Sequence, residues 1–235
     1  IDEAVRKQLG RIAHSTQLGL ASVPAVELAV KIVECTPQGL NKVFFSDSGS
    51  EAVEVALKMA YQFCMQNDRR RRTTFISLSN AYHGDTIGAV SVGGIERFHA
   101  TFKDLLFDTA TIQSPYCYRC PFGATPERCK RECFDHAEEV FERYGTGSCA
   151  LIIEPRIQGA GGMITFPEGF LSHLRRLTRE YGVFFIADEV ATGFGRTGKM
   201  FACSHEGVRP DFLCVAKGIS GGYLPLAATI TTNKI

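Results

Sequence analysis

The sequence has no tryptophan, no excess of either charge and no apolar run near the ~18 residues that a membrane-spanning helix needs. Its 26 Lys and Arg residues oppose 25 Asp and Glu residues, and this balance excludes a polyanion-binding tail. With 45% hydrophobic residues, it also lacks the composition of an intrinsically disordered chain. No basic and apolar leader opens the chain. We therefore expect a folded cytoplasmic protein that binds neither nucleic acid nor membrane.

The nine cysteines do not follow the pattern of a secreted disulfide framework, because their number is odd and their spacing irregular. Isolated cysteines are predicted to be small buried hydrophobic residues, and these are Cys35, Cys64, Cys149, Cys203 and Cys214. The others form two short pairs in a proline-containing loop, Cys117 with Cys120 and Cys129 with Cys133. Four thiolates at this spacing could hold zinc or an iron–sulfur cluster. Reduced or adventitiously paired thiols are the alternative.

Apolar runs alternate with helical patterns along the chain. We predict strands at 43–45, 75–78, 150–153, 183–187, 212–216 and 224–232. Helices are predicted in the opening stretch, at about 51–66 and at 167–181, from apolar residues three or four positions apart. Strands that are apolar throughout are buried on both faces. With helices between them, they indicate an α/β fold with a mostly parallel sheet.

Polar residues follow four of the predicted strands, where parallel sheets bind ligands. Ser48-Gly49-Ser50 could hold a phosphate at a helix N-terminus, or could be a simple N-cap. Tyr82 could stack on a planar ring or line the core. Asp188 needs a cationic partner, either a protonated ring nitrogen or a nearby Lys or Arg. Lys217 ends a predicted buried strand, where we expect it to be paired or bonded to an aldehyde. Together the four groups indicate pyridoxal phosphate.

Four motifs carry a resemblance to a known family: FSDSGSEAVEVALK at 45–58, YHGDT at 82–86, DEVATGFGRTG at 188–198 and AKG at 216–218. They resemble the class III, fold-type I pyridoxal-phosphate aminotransferases, over essentially the whole chain. Within that family the similarity is greatest to the branch that acts in biotin synthesis. The resemblance implies that 1–235 is the large cofactor-binding domain, without the family's N-terminal segment and small C-terminal domain. It also implies a homodimer.

The resemblance assigns roles to the residues that bind the cofactor. Gly49 and Ser50 would hold the phosphate, and Tyr82 would stack on the ring and border the substrate. Asp188 would pair with the ring nitrogen, and Val190 would pack against the ring's other face.

Lys217 would form the covalent bond to the cofactor, contact the substrate and move a proton during the reaction. The implied activity transfers an amino group from a small-molecule donor, adenosylmethionine or lysine, to the keto acceptor 8-amino-7-oxononanoate. Another ω-aminotransferase, of 4-aminobutyrate or ornithine type, and an aminomutase are the alternatives within the fold. Ala160 and Gly161 favour the biotin branch, because the ornithine and aminobutyrate relatives tend to have an acidic residue there. A non-catalytic metal-binding scaffold is the alternative outside enzymes.

Other polar residues receive structural interpretations. His83 could be structural, and Glu154 is predicted mainly to cap its strand, with Gln158 nearby. Glu189 is expected to point away from Asp188. Residues 67–72 are predicted to form an exposed basic turn.

Overall fold

A seven-stranded sheet organises the chain in the computed structural model, which describes residues 1–67, 69 and 71–235. Numbered along the chain, the first strands are β1 (Leu40–Ser46), β2 (Thr74–Leu78), β3 (Thr109–Ile112) and β4 (Ser148–Ile153). A small separate hairpin follows, formed by β5 (Ile157–Gln158) and β6 (Ile164–Thr165). The remaining strands of the sheet are β7 (Phe184–Asp188), β8 (Phe212–Val215) and β9 (Ala227–Thr232).

The strand directions determine where a binding site can form. The order across the sheet is β1-β9-β8-β7-β4-β2-β3. β9 runs antiparallel to both of its neighbours, and every other neighbouring pair is parallel. The six strands other than β9 therefore all end at the same edge of the sheet. The prediction of a mostly parallel α/β sheet is confirmed.

Helices cover both faces of this sheet. They are α1 (Asp2–Leu9), α2 (Val23–Cys35), α3 (Gly49–Gln66), α4 (Ile87–Ser91), α5 (Glu96–His99), α6 (Glu132–Tyr144) and α7 (Phe170–Tyr181). The sequence analysis missed α6, although Phe134, Ala137 and Phe141 bury one face at helical spacing. Strand β3 was also missed, because four residues give too short a pattern.

Two apolar layers hold the sheet between the helices. The α3 side contains Ala52, Val53 and Ala56, while α6 and α7 supply the other side, including Phe141 and Leu174. All six residues of β4 are buried, as expected for a central strand with both faces covered. No helix in the described part of the chain has the length and apolarity needed to cross a membrane.

The prediction of an exposed turn at 67–72 is wrong for Arg72. Its half-buried guanidinium donates hydrogen bonds of 2.8–3.2 Å to three main-chain carbonyls, those of Gly145, Ser148 and Tyr181. Arg69 is exposed, whereas Asp68 and Arg70 lie outside the described residues. Arg72 therefore links the start of β2 to the ends of α6 and α7.

Candidate active site

One cavity of about 410 Å³ lies where β1, β2, β4, β7 and β8 end. The residues assigned to cofactor or substrate by resemblance all line it, and they are Gly49, Ser50, Tyr82, Asp188, Val190 and Lys217. The parallel strand directions bring together these residues, which are up to 168 positions apart (217 minus 49) in the sequence.

The N-terminus of α3 forms one end of the cavity. Ser48 is the N-cap: its hydroxyl accepts from the Glu51 amide, and the Glu51 carboxylate accepts from the Ser48 amide. In the described chain, the amides of Gly49 and Ser50 have no acceptor. The Ser50 hydroxyl accepts a hydrogen bond of 3.2 Å from the Asp85 amide. The N-cap and the predicted anion site are therefore compatible, because they use different groups.

Val190 packs tightly against the start of α3. A Cβ atom on Gly49 would lie 2.7 Å from Val190 Cγ1 and 3.0 Å from Cγ2. The Val190 amide donates to Asp188 Oδ1 at 3.1 Å, which fixes the valine from the other side. Only glycine leaves enough space at position 49 for this contact.

Asp188 is the last residue of β7 and is 4% exposed. Its Oδ2 lies 2.6 Å from Nδ1 of His83, whose side chain is fully buried. The side chain that contacts Asp188 in the structure is thus a histidine rather than the Lys or Arg that the sequence analysis considered. His83 Nε2 is buried and has no hydrogen-bond partner among the described residues. Sequence reasoning left His83 as a structural residue, although its position beside Tyr82 in a strand-end loop was a signal.

Tyr82 lies on the cavity wall after β2. Its hydroxyl donates to Asp85 Oδ2 at 2.8 Å, and its ring meets the ring of Phe98 edge-on at 5.8 Å between centroids. Burial and the hydrogen bond to Asp85 raise the pKa of Tyr82 to about 12, so the phenol is neutral at physiological pH. Asp85, to which the sequence analysis gave no role of its own, is a further polar residue at the site.

Lys217 differs from its prediction in one respect. β8 ends at Val215, and Lys217 begins a short 3₁₀ turn, where its side chain is exposed on the cavity wall. The prediction that it ends a buried strand is therefore wrong. Its φ of +44° lies in the region that favours glycine, so the backbone is strained at this lysine. Within the described residues its ammonium forms no ion pair.

Glu154 follows β4 and is 4% exposed. One oxygen accepts from the Tyr82 amide at 3.1 Å and the other from the Gly159 amide at 3.0 Å. Burial raises the pKa of Glu154, and the charge of Asp188 raises it further. The Gln158 side chain donates to the Ser79 carbonyl at 2.9 Å rather than to Glu154. The carboxylate therefore does more than cap its strand.

Glu189 points away from Asp188, as predicted. It is fully buried, does not line the cavity and accepts from the Ala202 and Cys203 amides at 2.9 and 2.8 Å. Burial raises the pKa of this carboxyl as well.

The clustered cysteines line a second, smaller cavity of about 220 Å³, together with Pro115 and Phe122. Cys133 belongs to α6 rather than to a loop, and burial raises its pKa to about 11. Among residues 1–67, 69 and 71–235, no three Cys, His, Asp or Glu side chains are arranged to hold a metal ion. All nine cysteines are free thiols. Four of the five isolated cysteines are buried as predicted, but Cys35, at the end of α2, is exposed.

The comparisons with known proteins agree with the site. Residues 1–235 match the class III aminotransferase family, and the chain belongs to this family. The adenosylmethionine-8-amino-7-oxononanoate aminotransferase of Nitratidesulfovibrio vulgaris is 54% identical over 237 residues, which cover 100% of this chain and 44% of that relative.

Solved structures of two transaminases are also similar to this chain. The crystal structure of the like-named enzyme from Methanocaldococcus jannaschii is 46% identical with a TM-score of 0.91, covering 99% of this chain and 51% of that one. An amine transaminase from an uncultivated Pseudomonas species, solved in a PLP-bound form, is 39% identical with a TM-score of 0.93. The match covers 100% of this chain and 53% of the transaminase chain. The chain thus spans about half the length of the relatives it matches.

The groups around the cavity fit pyridoxal phosphate. Two amides without an acceptor at the N-terminus of α3 suit a phosphate, and the buried Asp188 carboxylate suits a protonated ring nitrogen. Lys217 supplies a primary amine, and Tyr82 supplies an aromatic ring. The phosphate, ring nitrogen, aldehyde and aromatic ring of the cofactor therefore each have a matching group on the wall of one cavity.

Proposed function

We propose that this chain binds pyridoxal phosphate and transfers an amino group from adenosylmethionine to 8-amino-7-oxononanoate. The observation that carries the proposal is the convergence of Asp188, Lys217, Tyr82 and the N-terminus of α3 on one cavity. The substrates follow from the name shared by the relatives that are about half identical to the chain.

Each residue has a distinct task in this proposal. The amides of Gly49 and Ser50 hold the phosphate, and Asp188 holds the proton of the ring nitrogen. When bound, the cofactor supplies an electron-withdrawing ring that stabilises negative charge developing on the substrate carbon. Lys217 Nζ would hold the cofactor through its aldehyde until the donor amine replaces it there, and the freed amine would then move the proton at that carbon. The neutral Tyr82 ring and the Val190 side chain hold the ring in place.

His83, which also lines the cavity, supports this arrangement through its contact with Asp188. Its Nδ1 donates to Oδ2 of the carboxylate and the Val190 amide donates to Oδ1, so each oxygen keeps a lone pair for a ligand. Because the pair is buried, the orientation of the carboxylate is fixed before any ligand binds.

We further propose that residues 1–235 form the cofactor-binding domain of a homodimer. The segment 9–30 exposes large apolar side chains that a second copy would cover, namely Leu9, Ile12, Leu18, Leu20, Val23, Val26 and Val30. The nine free thiols support a reducing compartment, the cytoplasm.

The covalent attachment provides the decisive test. Protein loaded with pyridoxal phosphate is expected to show a visible absorption band, and borohydride followed by peptide mapping should tag Lys217. Lys217→Ala should lose both signals. Lys199→Ala is the matched control, because that lysine is exposed and outside the cavity. A tag on another lysine, or no band in the wild type, contradicts the proposal.

The same visible absorption band can be used to identify the amino donor. Adenosylmethionine, lysine, 4-aminobutyrate and ornithine are added separately, and loss of the visible band is followed over a single turnover. We expect adenosylmethionine to discharge the band and a subsequent addition of 8-amino-7-oxononanoate to restore it. Discharge by 4-aminobutyrate or ornithine alone would assign the chain to another ω-aminotransferase, an alternative supported by the fold it shares with an amine transaminase.

A further inference from the structure

Glu154 connects two separate parts of the cavity wall. One is the loop 79–85 that follows β2 and carries Tyr82, and the other is the segment 157–165 that contains the β5–β6 hairpin. Both segments line the cavity, through Tyr82 on one side and Ala160 and Met163 on the other.

The two hydrogen bonds of Glu154 need a carboxylate. Its Oε1 accepts from the Tyr82 amide and its Oε2 from the Gly159 amide, so each oxygen serves a different segment. An amide side chain of the same shape would accept at one end only and would place an NH₂ group against the other main-chain N–H. Because Glu154 is buried, water cannot replace a lost bond readily.

The described parts of the two segments have two further contacts close by. Gln158 Nε2 donates to the Ser79 carbonyl, and Gly161 packs so closely against the Asn80 carbonyl oxygen that a Cβ atom would clash with it. These contacts lie at the beginning of the loop, whereas Glu154 holds the main chain of Tyr82 itself. Glu154 thus joins the main chain of Tyr82 directly to the hairpin segment.

We propose that Glu154 is a positioning residue that holds Tyr82 and the β5–β6 hairpin at a fixed spacing around the bound cofactor and substrate. This inference rests on the proposed function. The residue acts through Tyr82 and Gly159. Glu154 also lies near Asp188 and His83, which are buried and line the same cavity.

The test compares Glu154→Gln with Glu189→Gln in the full-length protein loaded with pyridoxal phosphate. Glu189 is the matched control, because it is also a buried carboxylate that accepts from two main-chain amides, but it lies outside the cavity. For Glu154→Gln we expect the Kd of pyridoxal phosphate to rise about tenfold, the size expected for one lost charged hydrogen bond. The visible circular dichroism of the bound cofactor should also weaken. Glu189→Gln should lower the unfolding midpoint and leave both cofactor signals within about twofold of the wild type.

A second, conservative variant at position 154 ensures that the conclusion does not depend on Glu154→Gln alone. Glu154→Asp keeps the charge but is one methylene shorter, so it reaches one amide only, and we expect an intermediate Kd. Unchanged Kd and circular dichroism in Glu154→Gln would overturn the inference, as would equal changes in Glu189→Gln. If neither Glu154 variant folds while Glu189→Gln does, Glu154 is required by the fold and the positioning role is also overturned. Absence of cofactor binding by the wild type would instead refute the proposed function.

Discussion

Replacement of Gly49 by alanine tests the tightest contact at the site. The new Cβ atom would lie 2.7 Å from Val190 Cγ1, closer than such atoms approach in folded proteins. Valine cannot turn away easily, because its branched side chain is restricted at χ1 and its amide is bonded to Asp188. Either the start of α3 or the Asp188–Val190 segment must therefore shift.

The expected cost follows from two opposing effects. Overpacking of this kind costs about 1–3 kcal/mol, and the better helix propensity of alanine returns up to about 1 kcal/mol. With the full gain subtracted, we expect Gly49→Ala to lower the free energy of unfolding by up to about 2 kcal/mol. It should also weaken pyridoxal phosphate binding, because Val190 and the two amides of the phosphate site move together.

Urea unfolding and cofactor titration measure these effects. In the double variant Gly49→Ala/Val190→Ala the clash is removed, so its cost should fall below the sum of the single variants by about 1 kcal/mol or more. Gly147→Ala is the control, since its Cβ would meet nothing within 4 Å. Additive costs in the double variant, or equal effects of Gly49→Ala and Gly147→Ala, would refute the reasoning.

Three more predictions concern single side chains. Lys217→Asn should unfold at a higher urea concentration than the wild type, because asparagine accepts a positive φ at lower cost. The variant should also lose the cofactor band. A lower unfolding midpoint would contradict the claim that the backbone is strained at this position. Tyr82 should ionise near pH 12, because burial and Asp85 favour its neutral form. The stability that this group contributes is complete below pH ~10 and is lost as the pH rises through 12. An ultraviolet titration that is unchanged in Tyr82→Phe would disprove the assignment. Arg72→Ala should lower the free energy of unfolding by about 3 kcal/mol or more, at about 1 kcal/mol or more for each of its three hydrogen bonds. The exposed Arg69→Ala should have little effect in the same urea assay.

Strands and helices with long apolar patterns were predictable from the sequence. The apolar run before Asp188 gave β7 within one residue at each end, and the helix after Ser50 was placed correctly apart from its first two residues. The four residues of β3 were not predictable, because so short a pattern does not distinguish a strand from a loop. Arg72 was misjudged since its partners are carbonyls more than 70 positions away, which local composition does not reveal.

At the candidate site, too, features set by local sequence patterns were predictable, whereas contacts between distant residues were not. The order of strand-end motifs predicted which residues would surround one cavity, since parallel strands end at one edge. The partners of those residues depend on contacts between loops, so the sequence did not predict that His83 bonds Asp188 or that Glu154 bonds the Tyr82 amide. The conformation of Lys217 was missed for another reason, because a buried strand pattern does not show where the chain turns.

The positive φ of Lys217 has a consequence for protein engineering. A left-handed conformation costs a residue other than glycine about 1–2 kcal/mol, and here it falls on the one side chain whose amine the proposed chemistry requires. A library ranked by thermal tolerance alone would therefore enrich glycine or asparagine at this codon and discard the reactive group. Heat-resistant variants should be sought elsewhere in the chain, with position 217 kept constant.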